Sequence, residues 1–374
     1  MKIIAFLFAF IPSLVLAQQL PTPPALAAKS WLLIETGSGQ TLASQAADER
    51  LEPASLTKLM TAYLTFAALK QGAIKINQAV PVSEKAWRTG GSKMFIRVGT
   101  EVSVEDLIKG MIVQSGNDAC VALAEAIAGS EDNFAQMMNR EAQRLGMKSS
   151  SFKNSTGLPD PELYTTARDL ATLTTALIRD FPEDYAKYYS IKEFRYNNIT
   201  QHNRNRLLWV DPTVDGVKTG HTEAAGYCLV SSAQRGPRRL LSVVLGAASD
   251  NVRTQESLKL LNYGFQFYDA VQLYAKDQTV SSLKVWKGSA ATVKAGFKSD
   301  FILSVPKGFG PKVQAELVSQ QPLIAPVAAG QTVGTMKVSV DGKAYGEYPV
   351  VALEGVGQAG IIGRTIDAIR LMFN

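Results

Sequence analysis

The sequence predicts a mixed α/β (α+β) protein in which an antiparallel sheet carries a helical insertion and a second, smaller β-sandwich follows. Strand patterns lie near both ends of residues 29–270, helical patterns lie between them, and short alternating strands fill residues 280–354. The chain has 374 residues, of which 46% are hydrophobic and 19% charged, so it is long enough to form two cored domains. This composition favours a globular protein over a disordered or fibrous one.

The first segment predicts export. A short basic start precedes an apolar run from Ile3 to Leu16, and small residues end at Ala17, which is the pattern of a secretory signal peptide. We expect residues 1–17 to be removed and the mature chain to begin near Gln18. An uncut membrane anchor is the alternative, although the run is shorter than the ~20 apolar residues that usually span a bilayer.

Two hairpins are predicted at the ends of the sheet region. Residues 30–45 turn at Gly37-Ser38-Gly39, and residues 226–248 turn near Gly236-Pro237. Strands at both ends with helices between them predict that the helical part is inserted into the sheet and packs against it. The apolar spacing places helices at 53–71, 104–113, 118–128 and 132–145.

The helix predicted over 53–71 begins with a serine and a lysine three residues apart. Ser55 lies in the first turn and Lys58 shares its face, so the lysine amine can reach the serine hydroxyl. The free N–H groups and the dipole of the helix start favour negative charge near that oxygen. This geometry would activate Ser55 as a nucleophile.

The same serine–lysine spacing also occurs where no chemistry is expected, so the motif alone is weak. A capping serine beside a solvated lysine is the simpler interpretation of any single instance. The repeats are Ser150/Lys153, Ser281/Lys284 and Ser304/Lys307.

The predicted β-sandwich, residues 280–354, includes a hairpin that turns at Asp341-Gly342. Residues 360–374 then predict an amphipathic helix that is too short and too charged to span a bilayer. Its apolar side would lie on a membrane surface or dock on the β-sandwich. The glycines that precede the helix suggest a flexible joint and favour the membrane surface.

Composition excludes several classes of function. The net charge of +6 is modest and the basic residues form no long run or aromatic-interleaved stripe, so no nucleic-acid partner is expected. The two histidines, His202 and His221, lie outside any zinc-peptidase motif, and we expect no metal and no cofactor. Cys120 and Cys228 lie in apolar surroundings, and whether they pair stays open. Because the two histidines lie in no such motif, a lysine or a carboxylate is the expected general base.

Two further short motifs follow Ser55 and Lys58 along the chain. Ser115-Gly116-Asn117 precedes a predicted helix, and Lys218-Thr219-Gly220 lies where a strand is expected beside the sheet. Each is weak alone, because Ser115 could cap a helix and Lys218 could end an ordinary strand. The order Ser-x-x-Lys, Ser-x-Asn, Lys-Thr-Gly is nevertheless the order of the penicillin-recognising serine enzymes.

Within that superfamily the chain resembles the low-molecular-mass penicillin-binding proteins that are serine-type D-alanyl-D-alanine carboxypeptidases. The resemblance extends over nearly the whole chain, includes the β-domain and the amphipathic C-terminus, and implies the penicillin-recognising fold. The motifs that carry it are "PASLTKLMT", "GGSKMF", "SGNDAC", "NSTGL", "YTTARDL", "NRNRLLW" and "VDGVKTGHT".

The resemblance implies a role for each motif residue. Ser55 attacks the carbonyl between the two terminal D-alanines, and Lys58 is the general base if burial and the nearby Lys218 keep its amine neutral. Ser115 carries a proton to the leaving amine, polarised by Lys218. Asn117 holds both the substrate backbone and the Lys58 amine.

By the same resemblance, backbone N–H groups of Ser55 and His221 form the oxyanion hole. The terminal carboxylate is expected to bind near Thr219 and Gly220, with Arg204 and Arg253 as the cationic side chains. The implied partners are peptidoglycan stem peptides, β-lactam antibiotics and a membrane surface that the C-terminal helix contacts. The implied location is the periplasmic face of the cytoplasmic (inner) membrane, with the exported protein bound peripherally.

A class A β-lactamase and a non-catalytic cell-wall binding protein are the alternatives. Ser249-Asp250-Asn251 spells a β-lactamase motif, but it follows Lys-Thr-Gly in the chain rather than preceding it. "DPELY" imitates the β-lactamase loop that activates water, yet Asp160 and Tyr164 replace its first glutamate and its asparagine. The presence of every motif residue weakens the binding-protein alternative.

Overall fold

The computed structural model describes residues 22–372, and the predicted signal peptide lies outside them. The first part of the chain, through residue 267, forms a five-stranded antiparallel sheet with helices on both sides. Its elements are β1 (Ser30–Glu35), β2 (Thr41–Gln45), a 3₁₀ turn (Ala54–Thr57), α1 (Lys58–Lys70), β3 (Ala79–Pro81), α2 (Glu84–Arg88), β4 (Glu101–Ser103), α3 (Val104–Val113), α4 (Asn117–Ala128), α5 (Glu131–Leu145), α6 (Ala167–Asp180), α7 (Pro182–Tyr188), β5 (Glu193–Tyr196), β6 (Ile199–His202), α8 (Leu207–Val210), β7 (Val214–Thr222), β8 (Gly226–Arg235), β9 (Arg238–Ala247) and α9 (Asp250–Phe267).

The strand order of the sheet is β2-β1-β9-β8-β7, so both predicted hairpins are present and the strand with Lys-Thr-Gly forms an edge. Alternate residues of each strand face opposite sides. Leu32 and Ile34 of β1 pack with the helical insertion, whereas Leu33 packs with the face covered by α9. One face of the sheet therefore packs against the helical insertion, as predicted, and the other is covered by α9, which the sequence did not predict.

The insertion matches the predicted helices closely because their ends carry clear signals. The hydroxyl groups of Ser103 and Ser130 accept hydrogen bonds from the first turns of α3 and α5. Gly129 and Gly146 end α4 and α5 with positive φ angles of 75° and 81°. These caps fix the helix boundaries within a residue of those the sequence predicts.

The predicted helix 53–71 differs from the expectation in two ways. Its first turn, Ala54–Thr57, is 3₁₀ rather than α, and α1 proper begins at Lys58. Nearly every residue of α1 is buried, so the helix lies at the centre of the domain instead of presenting one apolar face. Because the start of the helix is buried on all sides, the Lys58 side chain cannot reach solvent.

The second part of the chain is β-rich, as predicted, and its two sheets share one core. Six strands form one sheet in the order β14-β16-β17-β12-β11-β15, and β10 pairs with β13 in the other. The strand β10 begins at Tyr268, ahead of the expected start at 280, because it pairs antiparallel with β13. The strands are β10 (Tyr268–Tyr274), β11 (Thr279–Trp286), β12 (Thr292–Gly296), β13 (Phe301–Pro306), β14 (Val313–Ser319), β15 (Leu323–Ile324), β16 (Thr332–Val340) and β17 (Lys343–Ala352).

The last described element is the helix α10 (Ile361–Leu371), in the place that the sequence predicts. None of its residues is buried, and Ile361 and Ile362 are 75% and 78% exposed. One hydrogen bond, from the backbone N–H of Lys287 to the Asp367 carboxylate, joins the helix to the β-rich part. Within residues 22–372, no helix has the length and apolar character needed to cross a membrane.

Candidate active site

The turn that carries Ser55 is held in an uncommon backbone conformation. Ala54 has a φ of 47°, a left-handed value that costs free energy in a residue other than glycine. Gly157 packs directly on this turn with a φ of 81°, and a Cβ at Gly157 would overlap the Ala54 carbonyl oxygen. The turn presents Ser55, partly exposed, at the wall of a cleft of about 710 Å³.

Lys58 lies beneath Ser55 and is almost completely buried, with 1% of its surface exposed. Its amine donates hydrogen bonds to the Ser55 Oγ at 2.9 Å, to the Asn117 Oδ1 at 2.7 Å and to the Thr156 carbonyl. Burial lowers the pKa of Lys58 to about 8, and the positive charge of Arg204 acts in the same direction. Because this pKa lies close to neutral pH, a minor fraction of the amine is neutral at pH 7 and can act as a general base.

Ser115 lines the same cleft as Ser55 and contacts Lys218. The Lys218 amine donates to the Ser115 Oγ at 2.9 Å and to the Thr219 carbonyl oxygen at 3.0 Å. Ser115 has a φ of 64°, so the second serine, like the residue before the first, lies in strained backbone. The chain enters α4 immediately afterwards, and Asn117, the first residue of that helix, accepts a hydrogen bond from the Lys58 amine.

The two buried lysines of the site are electrostatically coupled. Burial is the first cause of the lowered pKa of Lys58, and the charge of Arg204 lowers it further. The pKa of Lys218 is lowered well below its ordinary value, first by burial and then by repulsion from Lys58. Two buried amines in one cleft resist double protonation, so a proton on one favours the neutral form of the other.

The positive end of the cleft contains three arginines and one aspartate. Arg204 faces the cleft, and among residues 22–372 its side chain has no hydrogen-bond or ion-pair partner. Burial, followed by the charge of Arg253, lowers the pKa of Arg204. Arg253 is buried and engaged by the Asp250 carboxylate and the Gly220 carbonyl oxygen. The unpaired cation of the predicted pair is therefore Arg204.

The edge strand β7 supplies the remaining predicted side chains. Thr219, Gly220 and His221 all line the cleft, and Gly220 approaches the Ser55 turn so closely that a Cβ would lie 3.0 Å from the Pro53 carbonyl oxygen. The His221 ring is exposed and packs on Tyr227, with ring centroids 4.0 Å apart. All ten residues singled out in the sequence thus belong to the cleft or contact it.

Three supporting residues were missed because their signal is tertiary. The Asp118 carboxylate accepts from the backbone N–H groups of Met94, Phe95 and Ile96, and so fixes the "GGSKMF" loop over the cleft. The Thr156 carbonyl holds Lys58, and Asp250 lines the cleft beside Arg253. The sequence offered two hints, because Asp118 directly follows Ser-Gly-Asn and Asp250 lies in the Ser-Asp-Asn triplet.

The stretches that imitate a β-lactamase have other roles in the fold. Ser249 caps α9 by accepting a hydrogen bond from the Val252 N–H. Asp160 accepts from the Glu162 N–H, Tyr164 packs under Arg50, and neither Asp160 nor Tyr164 lines the cleft. Cys120 and Cys228 are buried, free thiols. Within the described part of the chain, no group of three or more potential metal ligands is clustered.

Comparison with known proteins agrees with this geometry. A D-alanyl-D-alanine carboxypeptidase family model matches residues 17–249, which include Ser55, Ser115 and Lys218. The chain belongs to the D-alanyl-D-alanine carboxypeptidase family. A second model, of the C-terminal domain of penicillin-binding protein 5, matches residues 268–358.

Individual members of the family are similar over almost the whole chain. The D-alanyl-D-alanine carboxypeptidase DacC of Escherichia coli (strain K12) is 44% identical over 99% of this chain and 94% of its own. The crystal structure of penicillin-binding protein 5 from Haemophilus influenzae is 42% identical and superposes with a TM-score of 0.81 over 90% of this chain and 99% of that chain.

A third relative was crystallised with a β-lactam. Penicillin-binding protein D2 from Listeria monocytogenes, in its ampicillin-bound form, is 31% identical with a TM-score of 0.60 over 64% of this chain and 98% of that chain. These matches confirm the predicted family, the predicted mixed fold and the prediction of a serine hydrolase with D-Ala-D-Ala carboxypeptidase activity.

Proposed function

We propose that the enzyme removes the terminal D-alanine of peptidoglycan stem peptides through an acyl-enzyme on Ser55, and that β-lactams inhibit it by acylating the same oxygen. The observation that carries the proposal is the buried Lys58 amine, 2.9 Å from the Ser55 Oγ at the wall of an open cleft. A nucleophile within hydrogen-bond reach of a base with a lowered pKa is the arrangement that covalent catalysis requires.

In the first step the neutral Lys58 amine takes the proton of the Ser55 hydroxyl as the Oγ bonds to the carbonyl carbon of the penultimate D-alanine. The resulting oxyanion is stabilised by the backbone N–H groups of Ser55 and His221, as in the family that the motifs resemble. The amide C–N bond then breaks, and the proton that Lys58 accepted passes through the Ser115 hydroxyl, which Lys218 polarises, to the leaving amine. Lys58 is then neutral again for the second half of the reaction.

The leaving D-alanine carries the terminal carboxylate. We assign its recognition to Arg204 and Thr219, because Arg204 is the cleft arginine without a partner in the described residues. Arg253 adds positive charge to the same part of the cleft and supports β7 through its hydrogen bond to the Gly220 carbonyl oxygen. The Asn117 amide donates to the Gly90 carbonyl oxygen and accepts from the Lys58 amine. In the proposed complex, Asn117 positions both the substrate backbone and the base.

Water completes the reaction by adding to the ester carbonyl. One of its protons goes to Lys58, and the Ser55 oxygen leaves with a proton from the same amine. A β-lactamase needs this step to be fast on a bulky penicilloyl ester. The side chains that would imitate its water-activating pair, Asp160 and Tyr164, lie outside the cleft, which supports a peptidase over the lactamase alternative.

The test separates the three candidate functions with two substrates. Purified protein is mixed with penicillin and, separately, with diacetyl-Lys-D-Ala-D-Ala, and intact mass and D-alanine release are followed. We expect a long-lived penicilloyl adduct together with D-alanine release. Rapid penicillin turnover without D-alanine release would identify a β-lactamase, and the absence of any adduct would favour a non-catalytic binding protein.

We further propose that residues 1–17 direct export and that α10 holds the enzyme peripherally at the periplasmic face of the inner membrane. The domain limits that we propose are 29–270 for the peptidase, 280–354 for the core of the β-sandwich and 360–374 for the anchor. The exposure of the isoleucines on α10 supports an interfacial helix. Ending the chain before Gly360 should release it from vesicles and leave D-alanine release unchanged; continued sedimentation with vesicles would contradict the anchor.

A further inference from the structure

Near Arg204, the cleft is lined by an ion pair that the reaction itself does not use. The Arg206 Nε lies 2.7 Å from one oxygen of the Asp250 carboxylate, and the other oxygen accepts from Arg253. Both Arg206 and Asp250 line the same cavity as Ser55 and Arg204. Asp250 therefore neutralises part of the charge of two arginines and leaves Arg204 to a ligand.

The pair connects two elements that flank the edge strand β7. The segment before α8 is fixed to β7 by a hydrogen bond from Asn205 to the Gly216 carbonyl. The start of α9 is fixed to the same strand by the bond from Arg253 to the Gly220 carbonyl. Both ends of the ion pair are therefore anchored to β7, and we call the pair, whose Arg206 side chain is 66% exposed, the wall of that part of the cleft.

We propose that the Arg206–Asp250 pair determines specificity for a small leaving residue. The inference rests on the proposed function, in which the carboxylate of the leaving D-alanine binds Arg204 and its side chain points toward the remaining space at that end of the cleft. A methyl group fits in front of the wall, whereas a longer D-amino acid, or a peptide that continues past that residue, meets the pair. The wall thus favours removal of a single terminal D-alanine.

Polar contacts elsewhere on the surface give a matched control. Arg168 makes a bidentate ion pair with Asp48, and neither residue lines the cleft. The Arg168 side chain is 45% exposed, and the Arg206 side chain is 66% exposed. Removing either arginine deletes an exposed cation with one acidic partner. Only the change at Arg206 should alter the choice of substrate.

The experiment compares kcat/KM for diacetyl-Lys-D-Ala-D-Ala and diacetyl-Lys-D-Ala-D-Leu in the full-length enzyme. We expect Arg206→Ala and Asp250→Asn to raise the D-Leu/D-Ala ratio about tenfold or more, since a few methylenes in a tight pocket change kcat/KM by at least that factor. Arg206→Lys should restore most of the original ratio, and Arg168→Ala should leave it unchanged.

Penicillin acylation and the melting temperature of each variant report whether the site remains folded. A ratio that stays within about twofold of the unmodified enzyme in both folded variants would overturn the inference, and so would equal losses for the two peptides. If the unmodified enzyme released no D-alanine, the proposed function itself would fall and this inference with it.

Discussion

Two regions of the molecule share a Ser-x-x-Lys sequence and differ in almost every physical respect. Lys58 is buried, donates to Ser55 and has a pKa lowered to about 8. Lys153 is exposed and pairs with Glu162, which raises its pKa, while Ser150 bonds to Asp169 instead of to the lysine. Burial and neighbouring groups, rather than the spacing of the motif, therefore make a serine reactive.

Removing the lysine in each region should produce the largest difference between the two regions. Lys58→Ala takes away the base that accepts the Ser55 proton, so we expect the rate of acylation by penicillin to fall by about 10² to 10⁴. Lys153→Ala removes an exposed ion pair and should leave the rate unchanged. Stopped-flow labelling with a fluorescent penicillin measures both, and normal acylation of Lys58→Ala at neutral pH would eliminate Lys58 as the base.

The backbone beneath Ser55 allows a second test with a matched glycine. Gly157 and Gly146 both have a φ of 81°, but a Cβ at Gly157 would overlap the Ser55 turn and one at Gly146 would meet open space. We expect Gly157→Ala to cost at least about 2 kcal/mol more in the free energy of unfolding than Gly146→Ala. Gly157→Ala should also slow acylation. Equal stability of the two variants in urea denaturation would contradict the close packing of Gly157.

The pH dependence of acylation should reveal the lowered pKa of Lys58. The neutral amine is the active form, so the rate should rise about tenfold per pH unit below 8 and level off above it. The charge of Arg204 helps to lower this pKa, so Arg204→Ala should move the midpoint to higher pH. A profile that is flat between pH 6 and 9 would show that no group with a pKa near 8 limits acylation.

Local signals in the sequence were sufficient for much of the fold. Helices α3 and α5 have serine caps and clear apolar spacing, and the hairpin at Asp341-Gly342 has the two positive φ angles that such a turn needs. The strand β10 was missed because its partner, β13, lies about 30 residues later and no local turn marks the pairing. Pairing between strands that are distant in the chain cannot be predicted from a short stretch of sequence.

The active site likewise combines residues that a local motif identifies with residues that only long-range contacts bring together. Motif order identified Ser55, Ser115 and Lys218, because the residues that do the chemistry keep a fixed sequence pattern. Asp250 lines the cleft but was set aside, since its Ser-Asp-Asn triplet stands in the wrong order for a β-lactamase motif. Its contact with Arg206 crosses from the segment before α8 to the start of α9, and only the folded chain brings these together.

The most direct test of the central claim is to locate the penicilloyl group on the chain. Trypsin releases Ser55 in the peptide 51–58 and Ser150 in the peptide 149–153, so one digest of penicillin-treated enzyme compares the two regions. We predict the added mass on 51–58 alone and its complete loss in Ser55→Ala, with Ser150→Ala labelled normally. An adduct on 149–153, or undiminished labelling of a folded Ser55→Ala variant, would contradict the account.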